Sequence, residues 1–280
     1  MRFRATAATL TTALALSALA VPAVHAADRP DVPDVPQSAP FAAKAPAKSG
    51  AKVKITKVVV NGGKDIVVGT VKKKKVTIAV TATHPSGIQE GYAMLWHGKK
   101  FSETGIDSGM VPAADRGKCT KVNKTTSTCK VTVVADPNEN IYRNALAGKW
   151  KVWAGAAAKN GASVIKDTYK TVSVKRYAKL TVNAAPEPVK KGRTITVTGA
   201  LTRANWDSGK YAGYTKQPVK LEFKKKGSST YKALKTVRTD GKGKLRTTVK
   251  ASVDGTFRYV FAGTSTTPSV KSTGDFVDVK

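Results

Sequence analysis

The sequence predicts an all-β protein built as two β-sandwiches in tandem, and three observations carry that expectation. Apolar and polar residues alternate with period two in segment after segment from Lys52 onward. Turn-forming residues recur at short intervals between those segments. The two halves of this region also carry matching pieces of sequence.

In chain order, the first element is a secretory leader. Met1-Arg2-Phe3-Arg4 is a basic head, and an apolar stretch follows through Leu14, Leu16, Leu19 and Val21. Val24-His25-Ala26 supplies small residues at the two positions a signal peptidase inspects, so residues 1–26 read as a signal peptide. Its removal leaves 254 of 280 residues, with 47 basic and 18 acidic side chains. Residues 27–51 read as a disordered Pro/Ala-rich linker, interrupted by Pro30, Pro33, Pro36, Pro40 and Pro46.

Residues 52–177 form the first expected sandwich. Val76–Ala82, Gly91–His97, Lys130–Val134, Trp150–Ala154 and Thr168–Val174 are its clearest strands, and Arg143–Ala147 is at most a single helical turn. Residues 178–280 form the second. Lys179–Asn183, Arg193–Leu201, Val219–Phe223, Tyr231–Val237, Lys244–Val249, Phe257–Phe261 and Phe276–Val279 make about seven strands, the number expected of an immunoglobulin-like sandwich.

The halves echo one another. Val76-Thr-Ile-Ala-Val-Thr-Ala resembles Arg193-Thr-Ile-Thr-Val-Thr-Gly, and Gly148-Lys-Trp150 matches Gly255-Thr-Phe257. A large ring just after a glycine turn suits the penultimate strand of a sandwich, where it plugs the core. The stretch from Thr239-Asp-Gly-Lys-Gly-Lys-Leu through Ala251-Ser-Val-Asp-Gly-Thr-Phe resembles the bacterial immunoglobulin-like domains of secreted actinobacterial proteins. His84-Pro-Ser-Gly-Ile88 and Gly91-Tyr-Ala-Met-Leu-Trp-His-Gly98 are similar to the companion domain of that group. The resemblance covers roughly residues 52–280 and rests on turns and strands, so it implies a fold rather than an activity.

Two cysteines, Cys119 and Cys129, stand in a chain expected to be exported, where thiols oxidise. A disulfide closing their loop is the preferred reading, contributing roughly 3 kcal/mol through loop-closure entropy. A metal site is the weaker alternative because no histidine pair is near, and the spacing is not that of a redox CxxC. The pair is too close in sequence to be an antibody-type bridge between sheets.

Catalytic signals are thin. His84 precedes Pro85 in a turn and His97 ends a strand, so both are expected at the surface, and no Gly-x-Ser-x-Gly elbow accompanies them. Glu90 and Glu103 flank the strand carrying Trp96, but a glycosidase needs two carboxyl groups that converge. Asp136-Pro-Asn-Glu-Asn140 offers oxygens for a weak calcium site, although Asp-Pro-Asn is also a good turn. No cofactor is implied, and an extracellular hydrolase is the least favoured reading.

Charge is the stronger signal. Residues 52–177 hold 23 basic and 8 acidic side chains, and residues 178–280 hold 21 and 7. Both halves are therefore basic, a field that concentrates polyanions around them. The runs Lys72, Lys73, Lys74, Lys75 and Lys224, Lys225, Lys226 are the candidate polyanion contacts. Lysine outnumbers arginine 38 to 11, which speaks for solubility and blunted strand edges as much as for bidentate phosphate recognition. No specific nucleic-acid recognition is expected.

Trp150 and Trp153 lie three apart on one strand and so face opposite sides. With Trp150 in the core, Trp153 falls on the outer face or beneath a loop, and it is the candidate exposed aromatic for docking a carbohydrate or partner. After the leader no apolar run nears the roughly 20 residues of a membrane span. No cysteine precedes Cys119, and Asp275–Lys280 lacks a sorting-type tail. Attachment outside the cell is thus expected to be non-covalent. The expectation is a secreted, monomeric, non-enzymatic protein that binds or resides at the bacterial cell envelope. Its expected partner is an anionic envelope polymer or another extracellular molecule; the alternative is a dedicated polyanion-binding module.

Overall fold

The computed structural model describes residues 50–113 and 117–280. The expected signal peptide over residues 1–26 and most of the expected linker, residues 27–49, lie outside the described residues. The first sandwich opens with β1 (Lys54–Val60), β2 (Ile66–Val68), β3 (Lys74–Thr83), β4 (Ile88–Gly98) and β5 (Ile106–Met110). It closes with β6 (Lys118–Lys121), β7 (Thr126–Ala135), β8 (Gly148–Ala158) and β9 (Ser163–Arg176). One sheet has the order β1-β3-β7-β6 and the other β2-β9-β8-β4-β5. These are the ABED and GFC sheets of an immunoglobulin-like domain, with β5 added beside β4 and β2 running parallel to β9.

Alternation explains the pairing. On β3, Val76, Ile78 and Val80 are buried and pack with Val131 and Val133 of β7 and with Leu95 and Val152 of the facing sheet. Trp150 follows the Gly148 turn on the penultimate strand and is fully buried, its Nε1 donating to the Leu146 carbonyl at 2.7 Å. The helix-leaning segment is a single 3-10 turn, Asn144–Leu146.

The second sandwich contains β10 (Ala178–Leu180), β11 (Asn183–Ala185), β12 (Thr194–Asn205), β13 (Lys210–Gly213) and β14 (Pro218–Lys225). It continues with β15 (Lys232–Arg238), β16 (Lys244–Lys250), β17 (Gly255–Phe261), β18 (Val270–Lys271) and β19 (Asp275–Val277). In one sheet β12 is flanked by β10 and β11 on one edge and by β13 and β16 on the other. The other sheet runs β15-β14-β17-β18, with β19 also on β17. Phe257 follows the Gly255 turn and packs with Val197, Leu221 and Tyr259 in this core.

The single strand expected over Lys179–Asn183 is interrupted. The Thr181 hydroxyl accepts the Ala200 N–H at 2.9 Å where a backbone carbonyl would otherwise serve. Gly199 permits the close crossing, since a Cβ there would lie 2.3 Å from the Thr181 carbonyl oxygen.

The hairpin of β12 and β13 ties the sandwiches together. β12 continues beyond the second core, and Ala204 and Trp206 are buried among Ile66, Val68 and Leu146 of the first. Trp206 Nε1 donates to the Gly69 carbonyl at 2.9 Å, and its backbone N–H donates to Asn144 Oδ1 at 2.9 Å. Asn144 Nδ2 also donates to Asn205 Oδ1 at 2.7 Å and to Asp207. Tyr177 sits between, its N–H on the Val68 carbonyl and its carbonyl on the Ala204 N–H, both at 2.8 Å. Arg176 donates from Nε to the Ala204 carbonyl at 2.6 Å. Burial first, and the neighbouring Arg203 guanidinium second, push its pKa down to about 10.

Candidate binding surfaces

The cysteines meet across adjacent strands. Cys119 of β6 stands opposite Cys129 of β7, and their sulfurs lie 2.00 Å apart. The link lies within one sheet, so it does not join the two sheets of this sandwich. Cys129 is buried against Gly91 of the facing β4, where a Cβ would come within 2.5 Å of the cysteine Cβ.

Trp153 is not exposed. It does fall on the outer face of its sheet, opposite Trp150, but is only 3% accessible. A second apolar layer covers it: Tyr92, Met94 and Trp96 of β4, Ile106 of β5, and Phe101 and Val111 beside them. Tyr92 meets the Trp153 ring edge-on with centroids 5.4 Å apart. Trp96 is equally enclosed, with Nε1 on the Asp167 carbonyl at 2.7 Å and the Lys151 ammonium over its ring. No tryptophan is therefore left on this face for stacking a sugar.

The histidines do not converge. His84 is buried rather than at the surface: Ser86 Oγ lies 2.7 Å from Nδ1, and the Ala51 carbonyl 2.7 Å from Nε2. This closes the turn into β4, and no carboxylate among the described residues is bonded to the ring. His97 lies at the other end of β4, with Nδ1 2.8 Å from Asp107 Oδ2. At ~3.3 Å per residue, about 30 Å of strand separates the two rings. Glu90 and Glu103 are likewise held at opposite ends of β4.

The acidic turn holds an ammonium group. Asp136 is fully buried; Lys73 Nζ lies 2.6 Å from Oδ2, and Oδ1 accepts the Asn138 N–H. Asn140 turns its amide back onto the Asp136 N–H and the Val134 carbonyl. Lys73 also reaches Glu139 at 3.2 Å. Hydrogen bonds and charge from Asp136 and Glu139 hold its pKa above the usual lysine value. The oxygens suggested for calcium are thus engaged by Lys73 and by the turn itself.

The lysine runs consequently split. Lys73 is paired, and Lys74 donates to the Val67 carbonyl at 3.3 Å, leaving Lys72 and Lys75 facing water. In the second run Lys224 lies over the Tyr231 ring and Lys226 pairs with Asp254 at 3.2 Å, leaving Lys225 exposed. The Val279 N–H, then Lys226, keep Asp254 below the usual carboxylate range. Neither run offers a continuous row of free cations, because alternate side chains turn to opposite sides of an extended chain.

A more regular array lies on β16. Lys244, Arg246 and Lys250 are exposed on one face with Thr248 between them. Thr194, Thr196 and Thr198 stand beside them on β12, in register with Lys250, Thr248 and Arg246. Successive positions on such a face are about 7 Å apart. The sequence signal for this array is the alternation of Lys244-Leu-Arg-Thr-Thr-Val-Lys250, which reads first as a strand and only then as a line of charge.

No family model matches the chain, and no curated protein matches it. Several solved structures are similar at low identity. Latent PorU from Porphyromonas gingivalis is 8% identical over 84% of this chain and 21% of its own, with a TM-score of 0.29. This chain thus spans about a fifth of that protein. The fibronectin(III)-like modules of Clostridium thermocellum CbhA are 12% identical over 80% and 93%, with a TM-score of 0.31. The Escherichia coli adhesin FdeC is 12% identical over 82% and 66%, with a TM-score of 0.33. The sandwich assignment rests on the strand orders given above.

Proposed function

We propose that this is an exported, non-enzymatic protein whose two coupled sandwiches bind at the bacterial cell envelope by charge. One observation carries the reading: both sandwiches are strongly basic, and much of that charge, including Lys72, Lys75, Lys225, Lys244, Arg246 and Lys250, is exposed. Paired cysteines favour an oxidising compartment. No helix among the described residues is long and apolar enough to cross a membrane. Attachment is then electrostatic, reversible and dependent on ionic strength. Sedimentation with isolated cell-wall material tests it. The protein should pellet with the wall at low salt and be released as salt rises; recovery in the supernatant at low salt would overturn the reading.

A second reading, recognition of a linear polyanion in fixed register, is favoured by the cation line on β16. Two triple variants of equal charge separate the readings. Replacing Lys244, Arg246 and Lys250 with Gln should weaken binding far more than replacing Lys72, Lys75 and Lys225, if register matters. Equal losses would leave bulk charge as the whole explanation.

A further inference from the structure

We infer that the second sandwich carries a binding site for an amphiphilic anion, one alkyl chain bearing a phosphate head group, at the end away from the first sandwich. β12 runs from this end, where Thr194 pairs with Lys250, to the junction at Asn205. Here β15 and β16 are the free edges of the two facing sheets, and an apolar cleft of about 80 Å³ opens between them. Its walls are Phe223, Val249, Phe257 and Val277, with Leu234 and Val253 at the mouth. Lys235 spans the same edge, donating to the Thr248 carbonyl at 2.8 Å and linking β15 to β16.

The lip is unusually apolar. Leu234 is 47% exposed and Val253 37%, so two of the seven large apolar side chains exposed among the described residues line this one cleft. Apolar surface left in water at the rim of a cleft is stabilised by covering it. A cavity of ~150 Å³ is what it takes to hold a benzene ring, so this one suits the end of an alkyl chain.

The head group follows from the neighbouring charge. A second, more open hollow shares Ser252, Val253 and Val279 with the cleft and is lined by Lys191, Lys225, Lys226 and Lys280. Asp254 lies in it too, but is committed to Lys226 and to the Val279 N–H. Lys280 has Asp278 at 3.9 Å. Lys191 and Lys225 have no carboxylate within ion-pair distance among the described residues, and Lys250 stands at the cleft mouth. An apolar slot opening beside unpaired ammonium groups matches an alkyl tail ending in an anion, and fits neither a free inorganic anion nor a neutral lipid.

Titration of the full chain with butyl, hexyl and octyl phosphate, followed by amide chemical shifts, tests the site. Shifts should concentrate at Leu234, Val249, Ala251 and Val253. Affinity should rise roughly threefold to fourfold per added methylene until the cleft is filled. Leu234→Asp, a change at an exposed position, should weaken octyl phosphate at least tenfold. Lys191→Gln with Lys225→Gln should weaken it severalfold. Octyl glucoside and inorganic phosphate should each bind far more weakly. Equal binding of inorganic and octyl phosphate, or octyl phosphate binding unaffected by Leu234→Asp, would overturn the site. Wall retention is read separately: Leu234→Asp leaves the basic charge in place and should still pellet at low salt.

Discussion

Removing the Trp206 side chain should uncouple the two sandwiches. Trp206 is contributed by the second sandwich but is 4% exposed inside the core of the first. Truncating a buried Trp to Ala typically costs about 3–5 kcal/mol, of which the bond from Nε1 to the Gly69 carbonyl accounts for roughly 1 kcal/mol. A domain of ordinary stability has only about 5–15 kcal/mol to lose. Trp206→Ala should therefore melt the first sandwich ahead of the second, and urea unfolding followed by circular dichroism should separate into two transitions. Trp206→Phe keeps most of the apolar contact and should fall between the two. Small-angle scattering of Trp206→Ala should report a longer, more variable particle. An unchanged urea midpoint, with one transition and an unaltered scattering curve, would refute the idea that this ring couples the domains.

Three further outcomes follow from particular groups. Burial pushes the Tyr259 hydroxyl up to about 12, and it donates to the Val197 carbonyl at 3.0 Å. The unfolded tyrosine ionises near 10.0, so this stability is complete below that pH and is lost as pH climbs to about 12. The loss reaches about 2–3 kcal/mol; Tyr259→Phe should flatten the alkaline limb of the urea midpoint, and parallel limbs would contradict it. Reducing the disulfide should lower stability by about 2–3 kcal/mol, and Cys119→Ser with Cys129→Ser should make the urea midpoint insensitive to reductant. Lys73→Gln leaves the buried Asp136 without its cation and should lower the midpoint at neutral pH. Because the folded Lys73 pKa is raised, that gap should persist below 10.5 and close as pH rises through the higher folded value. A gap constant across that range would show that lysine charge is not its source.

Most strands were legible because alternation is local. Val76, Ile78 and Val80 mark β3, Trp150 marks β8 and Phe257 marks β17, from their immediate neighbours alone. The binding surfaces were less legible. Trp153 reads as an outward ring from its own strand, yet Ile106, Phe101 and Val111 arrive from elsewhere in the chain to cover it. Lys73 reads as one of four equivalent lysines until folding brings Asp136 and Glu139 to it. Trp206 lies between Asn205 and Asp207, outside every strand marked by alternation; a lone tryptophan in so polar a stretch was the available clue.

The β architecture, the two basic halves and a cysteine pair suited to closing its own loop were all readable from the residues in order. These follow from period, composition and short spacing, which need no knowledge of the remote chain. Which lysines are free, which tryptophans are covered, that one hairpin plugs the neighbouring core, and that a cleft lies beside unpaired ammonium groups emerged only on folding. Each of those depends on contacts between residues distant in sequence, and their side chains meet only once the sheets have packed.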